Sequence, residues 1–176
     1  MRLSIELTEL MELPHFDTGI EPKVQSALQA GRQLIVVVLP DRDKSRAASG
    51  YLAQALEYPL VRLGLALSRR LIEVLPRRRP AEVLVAVRQI VEAQKSGGVV
   101  LDTIEVLFDQ QLRQDPLGLL ANVARNTRLV VMWPGAADGG NLSYAQPGHV
   151  EYRHYAQAEL RHNGVEVILK EDRQYQ

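Results

Sequence analysis

Gln33-Leu34-Ile35-Val36-Val37-Val38-Leu39-Pro40-Asp41-Arg42-Asp43-Lys44-Ser45 is the stretch that decides the fold. Residues 34–39 are all aliphatic, rich in Val, and do not alternate with polar positions. A strand with one wet face alternates; a strand covered on both faces does not. The run therefore reads as a parallel strand inside a sheet with helices on both sides. Asp43 to Leu56 reads as the helix that follows it. About sixty residues later, Gly98-Val99-Val100-Leu101-Asp102 repeats the pattern. Arg128 to Met132, closed by Trp133-Pro134-Gly135, is a third buried strand, and Val165 to Leu169 a fourth.

The segments between these runs have helical periods. Glu21 to Ala30 reads as a short helix, with Pro22 in its first turn and Gly31 at its end. Leu60 to Leu63 is a short strand. Leu67, Leu71, Val74 and Leu75 form a helical stripe stopped by Pro76. Pro80 starts a helix carrying Val83, Leu84, Val87, Ile90 and Val91 on one face, broken at Ser96-Gly97-Gly98. Asp115-Pro116 opens another through about Ala124, with Asp as N-cap and Pro at N1. Residues 135–155 read as a long loop region. Residues 1–14 form an amphipathic segment with Leu3, Leu7, Leu10 and Met11 at helical spacing, within a helical N-terminal extension over 1–31. Lys170 to Gln176 reads as a frayed tail. Strands alternating with helices predict one α/β domain over 1–176, a three-layer sandwich with a mostly parallel sheet, P-loop NTPase-like. The order of its strands does not follow from the sequence.

Composition narrows the functional classes. The chain has 176 residues, 46 % of them hydrophobic, enough to bury a core. Lys+Arg and Asp+Glu both number 21, so no net charge draws the whole chain to nucleic acid or membrane, and any charge effect is local. The absence of Cys excludes disulfides, thiolate metal sites and Cys nucleophiles, and suits a reducing compartment. Acidic residues interrupt the first apolar positions, which argues against a signal peptide, and no apolar run reaches the roughly 18 residues of a membrane span. The expectation is a cytoplasmic protein without a membrane partner.

A buried strand running into Lys-Ser at the mouth of a helix, with a second buried strand ending in Asp, is the layout of a P-loop nucleotide site. There Lys neutralises the β- and γ-phosphates, while the Ser hydroxyl and the strand-end Asp hold Mg²⁺. Lys44, Ser45 and Asp102 stand at those positions. The two glycines of the pattern are replaced by Val38 and Asp43. Those glycines let backbone wrap closely round phosphate, and Asp43 adds a negative charge where a helix N-terminus attracts anions. The alternative is that Asp41 or Asp43 caps the helix and Lys44 is solvated. The residue after Asp102 is Thr103 rather than Glu. Glu105 is the nearest group that could activate water, but it needs a turn before it to reach the face of Asp102; otherwise it is a surface acid. Arg125 could sense phosphate, within the chain or across a subunit interface, or could simply complement a helix C-terminus.

Two further stretches stand out. Arg69, Arg70, Arg77, Arg78 and Arg79 fall within eleven positions. Arg pairs two phosphate oxygens well, which points to DNA, while an acidic partner protein and a plain solvated face read the same way. No aromatic residues interleave them, so stacking on single strands is not suggested. Leu142 to Tyr155 holds two of the four His and three of the six Tyr. A metal reading would use His149, Glu151 and His154, at a spacing that matches no standard motif; a hydrogen-bonded loop on the sheet accounts for it better.

Leu-Asp-x-Ile-Glu-x-Leu-Phe at 101–108, Asp-Pro-Leu-x-Leu-Leu at 115–120, Arg-Asn at 125–126, Trp-Pro-Gly at 133–135 and Tyr-Ala-x-Pro-Gly-His-x-Glu-Tyr at 144–152 together resemble BrxF, the small P-loop protein of type III BREX phage-defence systems. The resemblance covers residues 33–155 and is strongest from 98 to 155. It implies an ATP-binding component of a multi-protein bacterial defence complex, acting with partner subunits as a nucleotide-dependent switch or weak ATPase. By position Lys44 and Ser45 would be the phosphate-loop residues and Asp102 the Mg²⁺ ligand, with Glu105 and Arg125 as catalytic candidates. P-loop domains often complete their site across an interface, so a homo-oligomer belongs to this expectation. The phosphate loop departs from the pattern at Val38 and Asp43. The second reading is therefore a non-catalytic adaptor of P-loop-like fold, contacting DNA or a partner protein through Arg69, Arg70, Arg77, Arg78 and Arg79.

Overall fold

A computed structural model describes residues 19–39 and 41–170. The amphipathic stripe of residues 1–14 and most of the predicted tail lie outside the described residues. In chain order the elements are α1 (Ile20–Gln29), β1 (Leu34–Val38), α2 (Arg42–Leu56), β2 (Leu60–Arg62), α3 (Leu63–Leu71), α4 (Arg79–Glu92), β3 (Gly98–Asp102), α5 (Pro116–Val123), β4 (Arg128–Trp133), β5 (Ala136–Asp138), β6 (Asn141–Tyr144), β7 (Arg153–Tyr155), α6 (Gln157–His162) and β8 (Val165–Leu169). Short 3-10 turns occupy Pro76–Arg78, Ile104–Phe108 and Gln110–Leu112.

The central sheet has five strands in the order β2-β3-β4-β1-β8. All four pairings are parallel, and β1 is aligned Leu34 to Leu129 on one side and Leu34 to Val165 on the other. Every residue of β1 and β3 is buried, as their unbroken apolar runs require. The period of two divides the core. Ile35, Val37, Val100, Val130, Met132 and Ile168 face one side and pack with α1 and α2. Leu34, Val36, Val99, Leu101, Leu129, Val131 and Val165 face the other, against α3, α4, α5 and α6. The molecule is therefore helix layer, sheet, helix layer. Ile20, Val24, Ala27 and Leu28 of α1 belong to the core, so α1 is integral to one layer.

Two expectations are corrected. Residues 135–155 are not one long loop: β5, β6 and β7 form a separate antiparallel sheet. Asp138 pairs with Asn141 across Gly139 and Gly140, whose φ angles are +54° and +84°. That is a two-residue hairpin whose dihedrals non-Gly residues avoid. The predicted stripe to Leu75 ends at Leu71. The Arg79 Nε–H reaches back to the carbonyls of Leu71 (3.1 Å) and Val74 (3.0 Å), supplying partners that carbonyls at a helix end lack. The sequence reading also omitted α6.

Asp115 caps α5 as read, accepting from the Gly118 N–H at 3.1 Å. Its other oxygen accepts from the Tyr155 hydroxyl at 2.8 Å, which ties the small sheet to the domain. Burial, and then the Asp115 carboxylate, push the Tyr155 phenol well above its usual value near 10. The folded chain thus holds this proton after the unfolded chain has lost it. Stability supported by Tyr155 is present below pH 10 and drains away above it, at about 1.4 kcal/mol per pH unit. Tyr155→Phe is expected to cost about 1–2 kcal/mol at neutral pH. Denaturant midpoints of the two proteins should converge between pH 10 and 11; a constant gap would mean that Tyr155 does not carry the pH dependence.

Candidate functional site

The sheet order fixes where a ligand cleft can open. After β1 the chain leaves toward the α1/α2 face; after β4 it leaves toward the opposite face, where Leu142, Tyr155 and Leu160 pack. Adjacent strands whose connections part in this way leave a crevice at their carboxyl ends. A cleft of about 160 Å³ is found there, lined by residues after β1, after β3 and after β4, and by the first turns of α2.

Asp102, the last residue of β3, is 8 % exposed and lines this cleft. Its Oδ1 accepts from the Thr103 N–H at 2.7 Å, and its Oδ2 accepts from the Ser49 hydroxyl at 3.0 Å. Thr103 has φ +53°, a left-handed conformation that is rare for a β-branched residue. It turns the chain off the strand into the 3-10 turn at Ile104. That is the turn Glu105 needs: Glu105 lines the cleft with Asp102 instead of pointing to the opposite face. The Thr103 carbonyl also accepts from the Gly64 N–H at 2.9 Å.

From α2, Arg42, Ser45 and Arg46 line the cleft, and Ser49 lies below them on Asp102. These positions are i, i+3, i+4 and i+7, one face of a helix. Lys44 is off that face and exposed, so the residue read as the phosphate-loop lysine does not line the cleft. Asp41 supplies the physical reason. It caps α2 by accepting from the Asp43 N–H at 2.8 Å, so the helix starts early. Only Leu39, Pro40 and Asp41 separate β1 from α2. That connection lacks the two glycines of the phosphate-loop pattern, which let backbone approach a phosphate closely.

The third wall comes from Met132, Trp133, Pro134 and Gly135. The Trp133 indole N–H donates to the Ser143 carbonyl at 2.9 Å and fastens β6 beside the cleft. Tyr144, at the end of β6, stacks on Phe108 with ring centroids 3.7 Å apart. Burial raises its phenol pKa, as do the carboxylates of Glu151 and Glu105. A second, larger cleft of about 560 Å³ shares Pro134 and Gly135 with the first and runs along the small sheet past Asp138, Asn141, Tyr152 and His154.

The cleft thus joins two guanidinium groups, two carboxylates and the Ser45 hydroxyl. Oxygen donors of this kind suit Mg²⁺, which takes one or two carboxylates and completes its shell with water and phosphate. Each Asp102 oxygen keeps a lone pair beyond its one hydrogen bond. Asp102, Glu105 and Ser45 therefore fit the ion. No group of three or more His, Cys, Asp or Glu among the described residues is placed to hold a metal by itself. His149, Glu151 and His154 do not converge; the His149 Nδ1 accepts from the Glu151 N–H at 3.1 Å.

Arg125 lies elsewhere. It lines a depression with Gln33, Leu34 and Gly164, at the amino ends of the strands, so it does not reach this cleft within one chain. Arg69 and Arg70 close α3, Arg77 and Arg78 form the following turn, and Arg79 opens α4; none of them lines the cleft. The residues missed in the sequence are Arg42, Arg46 and Ser49. Arg42 lies three positions before Ser45 and Ser49 four after it, and Arg46 lies four after Arg42, so helical spacing along α2 would have found them.

Comparison with protein-family models, with curated proteins and with solved structures gives no match. No helix among the described residues is long and apolar enough to cross a membrane.

Proposed function

We propose that the protein is a nucleotide-binding switch, or weak ATPase, of P-loop-like fold, in which the arginine-bearing first turns of α2 replace the glycine loop. One observation carries the reading: the switch-point cleft is lined by Arg42 and Arg46 opposite Asp102 and Glu105. Two cations against two carboxylates suit a phosphate with its divalent ion better than a bare anion or a bare cation. At about 160 Å³ the cleft is below the 300 Å³ or more of sites that enclose a whole ligand, so it takes the phosphate end. The neighbouring cleft offers room for the remainder. Asp102 and Ser45 would hold Mg²⁺, and Glu105 would orient a water. The short, carboxylate-capped connection argues for slow turnover or none. On the resemblance to BrxF, such a switch would act with the other subunits of a BREX defence complex.

The test is a thermal midpoint with and without Mg²⁺ and ATP. Ligand at a hundredfold excess over Kd adds about 2.7 kcal/mol, or roughly 5–10 °C for a domain of this size. Wild type and Lys44→Ala are both expected to show the rise, and Arg46→Ala to lose most of it. A rise that needs Lys44 and ignores Arg46 would overturn the replacement of the loop. No rise at millimolar nucleotide would overturn nucleotide binding by the isolated chain.

A further inference from the structure

The arginine stretch includes more than charge. Six large hydrophobic side chains stand out as exposed among the described residues; Ile72 at 73 % and Leu75 at 56 % fall within the stretch, and Leu65 at 55 % lies one helical turn before it. Leu65, Arg69 and Ile72 follow the spacing i, i+4, i+7. Ile72 keeps helical dihedrals and donates its N–H to the Ser68 carbonyl, so the three share one stripe. Arg70 and Arg79 are tied down, Arg70 to Gln89 Oε1 at 2.8 Å and Arg79 to two backbone carbonyls. The side chains of Arg69, Arg77 and Arg78 have no hydrogen-bond or ion-pair partner among the described residues. From Arg62 to Arg79 the chain carries six Arg and one Glu, in a protein whose formal net charge is zero as a whole.

We propose that this face is a docking surface for an acidic amphipathic helix of a partner protein. The partner's aliphatic side chains cover Leu65, Ile72 and Leu75, and its carboxylates pair with Arg69, Arg77 and Arg78. Charge fixes the sign of the partner, and the aliphatic row fixes its class. Phosphate binding needs cations alone, and three exposed aliphatics between them gain nothing from a nucleic-acid backbone. They do gain from an apolar stripe, at about 25 cal/mol for each Å² removed from water. Arg flanking aliphatic contacts is also the composition of protein–protein interfaces, where Arg is enriched. The surface stands apart from the cleft, so its failure would leave the nucleotide reading as it is.

The experiment uses the full chain and two fluorescein-labelled peptides of about 14 residues, or four helical turns. One has leucines at i, i+4, i+7 and i+11 with glutamates between them. The other has the same composition with that period scrambled. Fluorescence anisotropy is expected to show the periodic peptide binding at least about tenfold more tightly, with affinity falling as salt rises. Ile72→Asp and the double change Arg77→Glu/Arg78→Glu should each weaken it about tenfold. Both alter exposed positions, and an unchanged thermal midpoint verifies the fold. Equal binding of the two peptides would overturn the proposal. So would a duplex DNA fragment that binds through Arg77 and Arg78 and ignores Ile72→Asp. Light scattering that finds a dimer made monomeric by Ile72→Asp, with no peptide bound, would assign the face to a second copy and overturn it as well.

Discussion

Gly135→Ala is expected to lower stability by about 4 kcal/mol, enough to leave a domain of ordinary stability close to unfolding. A Cβ at Gly135 would overlap the Ser143 carbonyl oxygen and stand 2.9 Å from the Trp133 Nε1. The obstacle is backbone, so no rotamer relieves it. The Ser143 oxygen is also the acceptor for the Trp133 indole, and Ala136 pairs with Ser143 in the small sheet. Moving β6 away to admit a methyl group therefore strands a buried indole N–H and loosens the β5–β6 pairing. Overpacking costs about 1–3 kcal/mol and an unsatisfied buried donor about 1–3 more. The damage should also be directional. Trp133, Phe108, Tyr144 and Tyr155 form one aromatic cluster joining the small sheet to the domain. Trp133 is the only Trp in the chain, so its fluorescence reports on that junction alone. Urea melts are expected to show the midpoint falling sharply, with a red-shifted native emission before the main transition. A midpoint within about 0.5 kcal/mol of wild type, the range of an ordinary surface change, would mean that β6 is not held where the indole bond puts it.

The sheet was legible because burial on two faces removes alternation. Val36 to Val38 and Val99 to Leu101 contain no polar residue to suggest any other layer, and each central strand was read to within a residue or two. The small sheet was missed for the opposite reason. β5, β6 and β7 have three or four residues each, too few for a period to emerge, although Asp138-Gly139-Gly140-Asn141 carries the hairpin signal. The site was half legible. Asp102 is found by its place at the end of a buried run. Lys44, chosen by counting residues from the strand, does not line the cleft, because the cleft is set by where α2 begins. Asp41 caps the helix in a shorter connection, the helix starts at Arg42, and its inward face passes to Arg42, Ser45, Arg46 and Ser49. Glu105 depended on one backbone angle, the left-handed φ of Thr103, which no side-chain pattern announces.

Asp102 should separate structure from chemistry through two substitutions. Asp102→Ala leaves the Ser49 hydroxyl and the Thr103 N–H without their acceptor in a buried corner. The Ser49 hydroxyl can still donate to the Arg46 carbonyl at 2.8 Å, so the larger part of the penalty falls on Thr103. Thr103 is already strained, and its amide bond to Asp102 is part of what holds the turn. The expected loss is about 2–3 kcal/mol. Asp102→Asn keeps that bond: the amide oxygen accepts from Thr103, and its NH₂ donates to the Ser49 oxygen while Ser49 donates to Arg46. The Asn variant should therefore melt within about 1 kcal/mol of wild type. What it lacks is a negative charge. If the cleft holds Mg²⁺ between Asp102 and a phosphate, Asp102→Asn folds normally but loses the stabilisation by Mg²⁺ and ATP, while retaining any response to ATP without the metal through Arg42 and Arg46. Differential scanning fluorimetry of wild type and both variants, with ATP and with Mg²⁺ present or chelated, reads all of these at once. An Asn variant with an undiminished Mg²⁺-dependent rise would confine Asp102 to holding the Thr103 turn, and the metal would have to be sought at Glu105.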